Sequence, residues 1–347
     1  MKKHTNLTYI LKKFLKMFLT ILFVTSFIFF LVRLMPSNPI DQYINNQIAK
    51  GGVTYEQAVA RAKHLFTMDL NKPMIFQYFD YIKAAFRLDF GESLLTPGVK
   101  VMTIIGQRLP WTLFTVGIGL ILAFVIGVAM GAVAAFGRNR WYGTLISGIA
   151  SVLSTIPDFL IAIFLILLLG VFTWGGHGPL VSIMYLRGNM SPGITPGFNG
   201  PFIADIFHHA LAPILTYTLA QVGVLTLLMK GSTTSCLSTD YVKMARIRGL
   251  SPSKVLFSYI GRNAMLPMVT ELAMRMGLII GGSLIIEQLF VYPGIGMELL
   301  KATNGRDYPL MQGIFLIMSI AMVLSNFLAE ILYFVLDPRI KRNGHGG

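Results

Sequence analysis

Six long apolar segments separated by polar ones dominate this chain of 347 residues. They are Met17–Val32, Pro110–Phe136, about Thr144–Phe172, Ile206–Met229, about Ala264–Phe290 and about Tyr308–Leu336. Each is near or above the roughly 20 residues a helix needs to cross a bilayer. A soluble domain carries about 25% charged residues; here the figure is 13%, against 54% hydrophobic. The expected fold is therefore an all-α integral membrane protein with six transmembrane helices.

Charge gives the orientation. With the N-terminus inside, the inner segments hold 16 Lys and Arg and the two short outer loops hold three, Arg187, Lys301 and Arg306. The positive-inside rule then places both termini in the cytoplasm. The net charge of +14 reflects that asymmetry and attraction to anionic lipid, so nucleic acid is not an expected partner. The first apolar run is long for a signal peptide, and Met35-Pro36-Ser37-Asn38-Pro39 offers no small-x-small cleavage site, so it reads as an uncleaved span. A single cysteine, Cys236, excludes an intramolecular disulfide.

The domain organisation tracks the spans. Residues 1–33 are the cytoplasmic N-terminus and first span, 34–109 a small helical outer segment, 110–336 a five-span core and 337–347 a cytoplasmic tail. In the outer segment, Thr54 and Gln57 form a capping box that opens a helix running to about Phe66. A second amphipathic helix is expected over Met74–Phe86, with Ile75, Tyr78, Phe79, Ile82 and Phe86 on one face. The stretch 173–205 is a Gly- and Pro-rich loop containing Trp174-Gly175-Gly176, and Tyr292-Pro-Gly-Ile-Gly296 is a turn.

Little in the chain points to catalysis. It has no Gly-x4-Gly-Lys-Ser/Thr phosphate loop, and no Gly-x-Ser-x-Gly elbow. His208 and His209 lack further ligands at metal spacing and read as interfacial polar residues. Charges within spans are costly and default to functional hypotheses. Asp158 and Arg275 lie at similar depth in the third and fifth spans, Glu271 is one turn before Arg275, and Glu287 is nearer the outer end. They form either an ion pair, Glu271–Arg275 or Asp158–Arg275, or the polar lining of a solute path. Gly117, Gly119, Gly127 and Gly131 suit close helix packing.

Between the fourth and fifth spans lies a basic segment, 240–262, too charged to span. It is expected to be a cytoplasmic helix that contacts a soluble partner through Val242, Ala245, Ile247 and Leu250, with Lys243, Arg246 and Lys254 in water. The sequence from Asp240 to Pro267 is similar to a known pattern. Asp240, Tyr241, Val242, Ala245, Arg246, Arg248, Gly249 and Leu250, then Arg262, Asn263, Ala264 and Pro267, resemble the "EAA" loop of permease subunits of binding-protein-dependent ABC importers. The likeness is to the dipeptide, oligopeptide and nickel branch, and to the first of its two permeases. It extends over Leu34-Met-Pro-Ser-Asn-Pro-Ile-Asp41, Leu70-Asn-Lys-Pro73, Asp89-Phe-Gly-Glu-Ser93, Arg108-Leu-Pro110, Ser154-Thr-Ile-Pro157, Tyr292–Gly296, Arg306-Asp-Tyr-Pro309 and Leu336-Asp-Pro-Arg-Ile340. Lys243 and Met244 replace the Glu and first Ala of the general motif.

The resemblance implies a transport subunit, not an enzyme, in a bacterial or archaeal plasma membrane. Its implied partners are a second permease, two cytoplasmic ATP-binding subunits, an external solute-binding protein and membrane lipid. No cofactor belongs to this chain; ATP and Mg are held by the partner ATPases. Tyr241, Ala245, Arg246, Gly249, Leu250 and Arg262 are the implied coupling residues, and the turn at Gly249 directs the helix. Asp158, Glu271, Arg275 and Glu287 are the candidate path residues. The branch handles peptides, oligosaccharides and nickel. The alternative class is an ion-coupled secondary transporter with Asp158, Glu271 and Arg275 as a relay.

Overall fold

The computed structural model describes residues 2–34, 43–45, 48–49, 51, 53–65, 73–172, 178–282 and 284–336. Residues 35–41 and 70–72 of the quoted motifs, Trp174–Gly176, Phe66 and the tail 337–347 lie outside the described residues. Helices account for the architecture, and among the described residues no strand longer than an isolated bridge, Glu92–Lys100, occurs. In chain order they are α1 (Lys2–Leu34), α2 (Tyr55–Leu65), α3 (Met74–Phe86), α4 (Val101–Phe136), α5 (Trp141–Thr155), α6 (Asp158–Gly170), α7 (Gly200–Leu237) and α8 (Asp240–Ile247). After one turn at Pro252–Lys254 and a wider one at Val255–Gly261 come α9 (Arg262–Gly282), α10 (Leu284–Leu289), α11 (Ile295–Asn304) and α12 (Tyr308–Leu336).

Four of these are long and apolar enough to cross a membrane, over Leu11–Leu31, Val101–Phe136, Gly200–Leu237 and Tyr308–Ile331. They coincide with the expected first, second, fourth and sixth segments. The third segment corrects its expectation. It is not one rod but α5 and α6, bent by 105°. Pro157 explains the corner, since it bars its predecessor from helical angles; Ile156 is extended at φ −74°, ψ 126°. Asp158, expected mid-span, opens α6 in its first turn. The fifth segment is helical as α9 and α10. The second helix also begins at Val101, so Pro110 lies within it and not at its start.

The chain divides into two compact units. One comprises residues 1–112, 280–284 and 293–324. Its core gathers Ile28, Phe90, Val101, Ile105, Ile295, Leu310 and Ile314. The capping box forms as expected: Thr54 N–H donates to Gln57 Oε1 at 3.3 Å, and Gln57 N–H to Thr54 Oγ1 at 3.4 Å. The helix at Met74–Phe86 also forms, but its inward face is not the expected one. Gln77, Tyr81 and Ala85 are buried, whereas Ile75, Phe79 and Phe86 are exposed. The apolar stripe reads as a core face only if the core lies on its side, and here α3 packs on α1 through the neighbouring sector.

Two motifs distant in sequence meet in this unit. Asp307 is fully buried. Its carboxylate accepts from Ser93 Oγ at 2.5 Å, Leu95 N–H at 3.1 Å and Leu310 N–H at 3.1 Å. The last bond makes Asp307 the N-cap of α12. Arg306 reaches the left-handed region at φ 55° to present it. Nearby, Thr112 Oγ1 accepts the first N–H of α11, from Ile295, at 2.8 Å, and Arg108 pairs with Glu298 at 3.1 Å.

The other unit comprises residues 113–279, 285–292 and 325–347. Its helices approach through glycine. A Cβ on Gly119 would fall 2.6 Å from Tyr217 Cβ, one on Gly127 2.7 Å from Leu225 Cβ, and one on Gly131 2.5 Å from Thr226 O. These three residues let α4 lie against α7, as small residues do between membrane helices. Gly117, grouped with them by spacing, faces open space. Gly223 does the same for α7 against α5, where a Cβ would meet Ala150 O at 2.6 Å.

The clasp at Asp307 carries a testable consequence. Asp307→Ala removes a helix cap and takes the acceptor from the Ser93 hydroxyl and Leu95 N–H, at a combined cost of roughly 1–3 kcal/mol. The thermal unfolding midpoint of the detergent-solubilised chain should fall clearly. Asp307→Asn, which still caps, should fall less. An unchanged midpoint in the alanine variant would contradict this account of the unit.

Candidate functional site

The basic segment is a short helix held firmly from one side. Thr239 precedes it, its Oγ1 donating to Cys236 O at 2.6 Å and its carbonyl accepting Val242 N–H at 3.2 Å. Asp240 sits in the first turn and Arg246 in the last, the order that suits the helix dipole. Lys243 reaches Asp240 at 3.0 Å, but both are solvent-exposed, so the pair adds little.

Its C-terminus is a Schellman motif. Gly249 N–H donates to Arg246 O at 2.9 Å and Leu250 N–H to Ala245 O at 3.3 Å, with Gly249 at φ +71°. Nothing lies within 4 Å of where a Gly249 Cβ would be. The glycine is therefore required by backbone angle and not by space.

The inward side corrects the expected contact face. Val242 and Ala245, assigned to a partner by spacing, are 0% and 2% exposed. They join Val255, Ile260, Ala264 and Met268 against Val222, Leu225 and Met229 of α7. Leu250 and Tyr241 pack on the same cluster. Tyr241 Oη accepts from Asn263 Nδ2 at 3.1 Å, and Asn263 also donates to Tyr259 O at 2.9 Å. Ser232 Oγ donates to Ala264 O at 3.0 Å. Tyr241, Ala245 and Leu250 thus seat the helix on its own chain.

The outward side is different. Arg246, Arg248, Gly249 and Arg262 are exposed. Among them stand Met244 at 52%, Ile247 at 77% and Phe257 at 75% exposure. Of the apolar residues expected to face a partner, Ile247 is exposed and Leu250 half-buried. Met244 and Phe257 escape the sequence pattern, because periodicity cannot tell which apolar face a helix turns to its own core.

The charged residues of α6 and α9 sort themselves. Arg275 Nε donates to Glu271 Oε1 at 2.7 Å, the i, i+4 pair that spacing allows. Arg275 Nη1 also bonds Gln221 Oε1 of α7, a buried residue that no pattern in the sequence singles out. Asp158 is exposed at the start of α6, and the ion-pair partner of Arg275 is Glu271. Glu287 is 2% exposed in α10, and its carbonyl accepts Tyr292 N–H at 2.8 Å.

One polar cluster is not announced by any motif. Asp205 accepts from Ser191 Oγ at 2.6 Å and from Ser191 N–H at 2.7 Å. His209 Nε2 lies 3.1 Å from the same Oγ, and its Nδ1 lies 3.0 Å from Arg187 O. A hydrolytic triad needs the carboxylate on the far nitrogen of the histidine. Here that nitrogen meets a main-chain carbonyl, so the group pins the loop 187–191 to α7. His208, by contrast, is exposed and meets the Tyr185 ring.

Known proteins resemble this chain over nearly all of its length. Residues 127–342 match the family described as "Binding-protein-dependent transport system inner membrane component". A putative peptide permease protein of Brucella suis biovar 1 is 32% identical over 321 residues, 92% of this chain and 95% of that one. A dipeptide transport system permease protein of Bacillus subtilis is 28% identical over 341 residues, 97% and 99% of the two chains. A glutathione transport system permease protein of Salmonella typhimurium is 30% identical over 335 residues, 96% and 99%. With its apolar helices and its Schellman-capped basic segment, the chain belongs to the binding-protein-dependent inner membrane components and is a permease subunit of an ABC importer.

Proposed function

We propose that this subunit forms, with a second permease, the path by which peptides cross the plasma membrane of a bacterium or archaeon. An external binding protein delivers the peptide. Two cytoplasmic subunits bind ATP and Mg and drive the cycle. Six spans leave both termini inside, with 34–109 entering from the outer face. The relatives named for peptides, dipeptides and glutathione support this substrate class over oligosaccharides or nickel.

The observation that carries the reading is the two-sided segment 240–262. One side is buried in its own chain; the other offers Met244, Ile247 and Phe257 among arginines. An apolar patch rimmed by charge is the composition of a protein contact. Because Val242 and Ala245 fix the helix to α7 and α9, a push on the exposed side moves the spans rather than a loose loop. Asp158, Glu271 and Arg275 supply polar surface along the path, whereas Glu287, expected beside them, is buried within α10 and supplies none.

Burying an Ile side chain contributes roughly 1.5–3 kcal/mol. Ile247→Asp should therefore reduce peptide-stimulated ATP hydrolysis of the assembled complex by roughly tenfold or more, with the chain still inserted. Gly249→Val should uncouple it likewise by forcing the turn. Full stimulation in both variants would defeat the proposed contact. Uptake that survives ATP depletion but not an uncoupler would instead indicate an ion-coupled transporter.

Topology is open to labelling in a Cys236→Ser background. Thr96→Cys should react with an impermeant maleimide added outside, and Asn139→Cys should not. The reverse pattern would invert the chain.

For the path charges, Arg275→Gln alone leaves Glu271 without its cation and should lower stability. Adding Glu271→Gln should restore much of it, because a lone charge costs more than none. Asp158→Asn should leave folding intact and alter which peptides are taken up, measured by competition for transport. If Asp158→Asn leaves peptide selectivity unchanged, Asp158 does not line the path.

A further inference from the structure

Helix α3 has three faces, each with its own chemistry. The first packs on α1 through buried Gln77, Tyr81 and Ala85. The second carries Asp80 and Lys83, both exposed, with Phe76 at 59% exposure between them. The third is a stripe of Ile75, Phe79 and Phe86, exposed at 57%, 61% and 63%, with Ile82 half-buried beside them. At about 100° per residue these four side chains fall within a narrow arc on one side of the helix.

The register of α3 on α1 fixes its level. Tyr78 Oη and Ser26 Oγ are 2.8 Å apart, and the Tyr78 and Phe30 rings stack at 6.0 Å. Phe29 meets Tyr81 at 5.4 Å. Two turns beyond Tyr78, Phe86 stacks on Phe18 at 6.0 Å. The two helices therefore run antiparallel, and their contact covers α1 from Phe30 back to Phe18, about 18 Å of helix. That length falls inside Leu11–Leu31, the stretch of α1 apolar enough to cross a membrane. Hydrocarbon is about 30 Å thick, so a helix stacked along about 18 Å of a span lies largely at bilayer depth.

Exposed apolar surface runs along α1 as well: Phe23, Phe27 and Phe30 share one side of it and are exposed at 71%, 56% and 47%. The stacked pairs Phe18–Phe86 and Phe30–Tyr78 join α1 to α3 at the two ends of their contact. On a membrane span such a surface faces acyl chains. Asp80 and Lys83 occupy a separate sector, from which a long side chain can reach headgroups or water.

We propose that α3 is a membrane-inserted helix that enters beside the C-terminal half of α1. Its stripe Ile75, Phe79, Ile82 and Phe86 contacts lipid acyl chains. The outer segment is then anchored in the bilayer and not wholly aqueous. The proposal concerns where this helix sits and stands apart from what the subunit transports.

The test uses the full complex in phosphatidylcholine–phosphatidylglycerol vesicles. Nitroxide labels are placed singly at Ile75→Cys, Phe79→Cys, Asp80→Cys and Phe86→Cys in the Cys236→Ser background. Collision with oxygen, which concentrates in hydrocarbon, is compared with collision with a water-soluble nickel chelate. Oxygen should dominate at 75, 79 and 86, and the order should reverse at 80. Nickel dominating at 79 and 86 would make the face aqueous. Exclusion of both reagents there would mean a protein partner covers it. Either result overturns the proposal. Phe79→Trp gives an independent check: brominated acyl chains should quench its emission beyond the quenching of the parent chain, and no added quenching counts against lipid contact.

Discussion

A peptide group in hydrocarbon has no water to bond, and an unpaired one costs several kcal/mol. Among the described residues, the long apolar stretches answer that constraint by becoming helical, the corner at Ile156 apart. The same constraint weakens the usual force between helices, because lipid is as apolar as leucine. Contact must then come from close fit. Gly119, Gly127 and Gly131 bring α4 against α7, and Gly223 brings α7 against α5, at distances no Cβ would permit. Where helices end inside the protein, side chains take over the unpaired amides. Thr112 does so for α11 and Asp307 for α12.

The basic segment shows how a chain of such helices offers a firm handle. Its rigidity does not come from its surface charges, which are wet. It comes from Val242 and Ala245 in the α7–α9 cluster, from the Tyr241–Asn263 bond, and from a glycine turn closed by two hydrogen bonds. The exposed residues can therefore serve contact alone. Division of labour between the two sides of one short helix is what the proposed link between soluble and membrane parts requires.

Much of the fold is legible in the sequence. Apolar length locates four helices able to cross a membrane, Thr54 and Gln57 announce α2, and Gly249 announces a turn. What sequence does not supply is direction. The stripe of α3 points inward by pattern alone, because a core is the usual place for such a stripe. Val242 and Ala245 point outward by the same logic, because a charged segment between spans shows no core of its own. The corner at Ile156 is visible as a proline, but one proline within a long apolar run does not say whether a helix kinks or turns through a right angle. Gln221 beside Arg275, and Ser191 beside Asp205 and His209, join residues far apart in the chain, and no periodicity encodes them.

The bonds of Asp307 to Ser93 and Leu95 join residues more than 200 positions apart. Chains are made from the N-terminus at about 5–20 residues per second, so Ser93 and Leu95 emerge at least about ten seconds before their acceptor exists. Through that interval the unit that contains them stays open. Residues 113–279, the bulk of the other unit, are laid down inside the same gap. Synthesis therefore hands the membrane a nearly whole second unit while the first, begun earlier, still waits for α11, α12 and the carboxylate between them to close it.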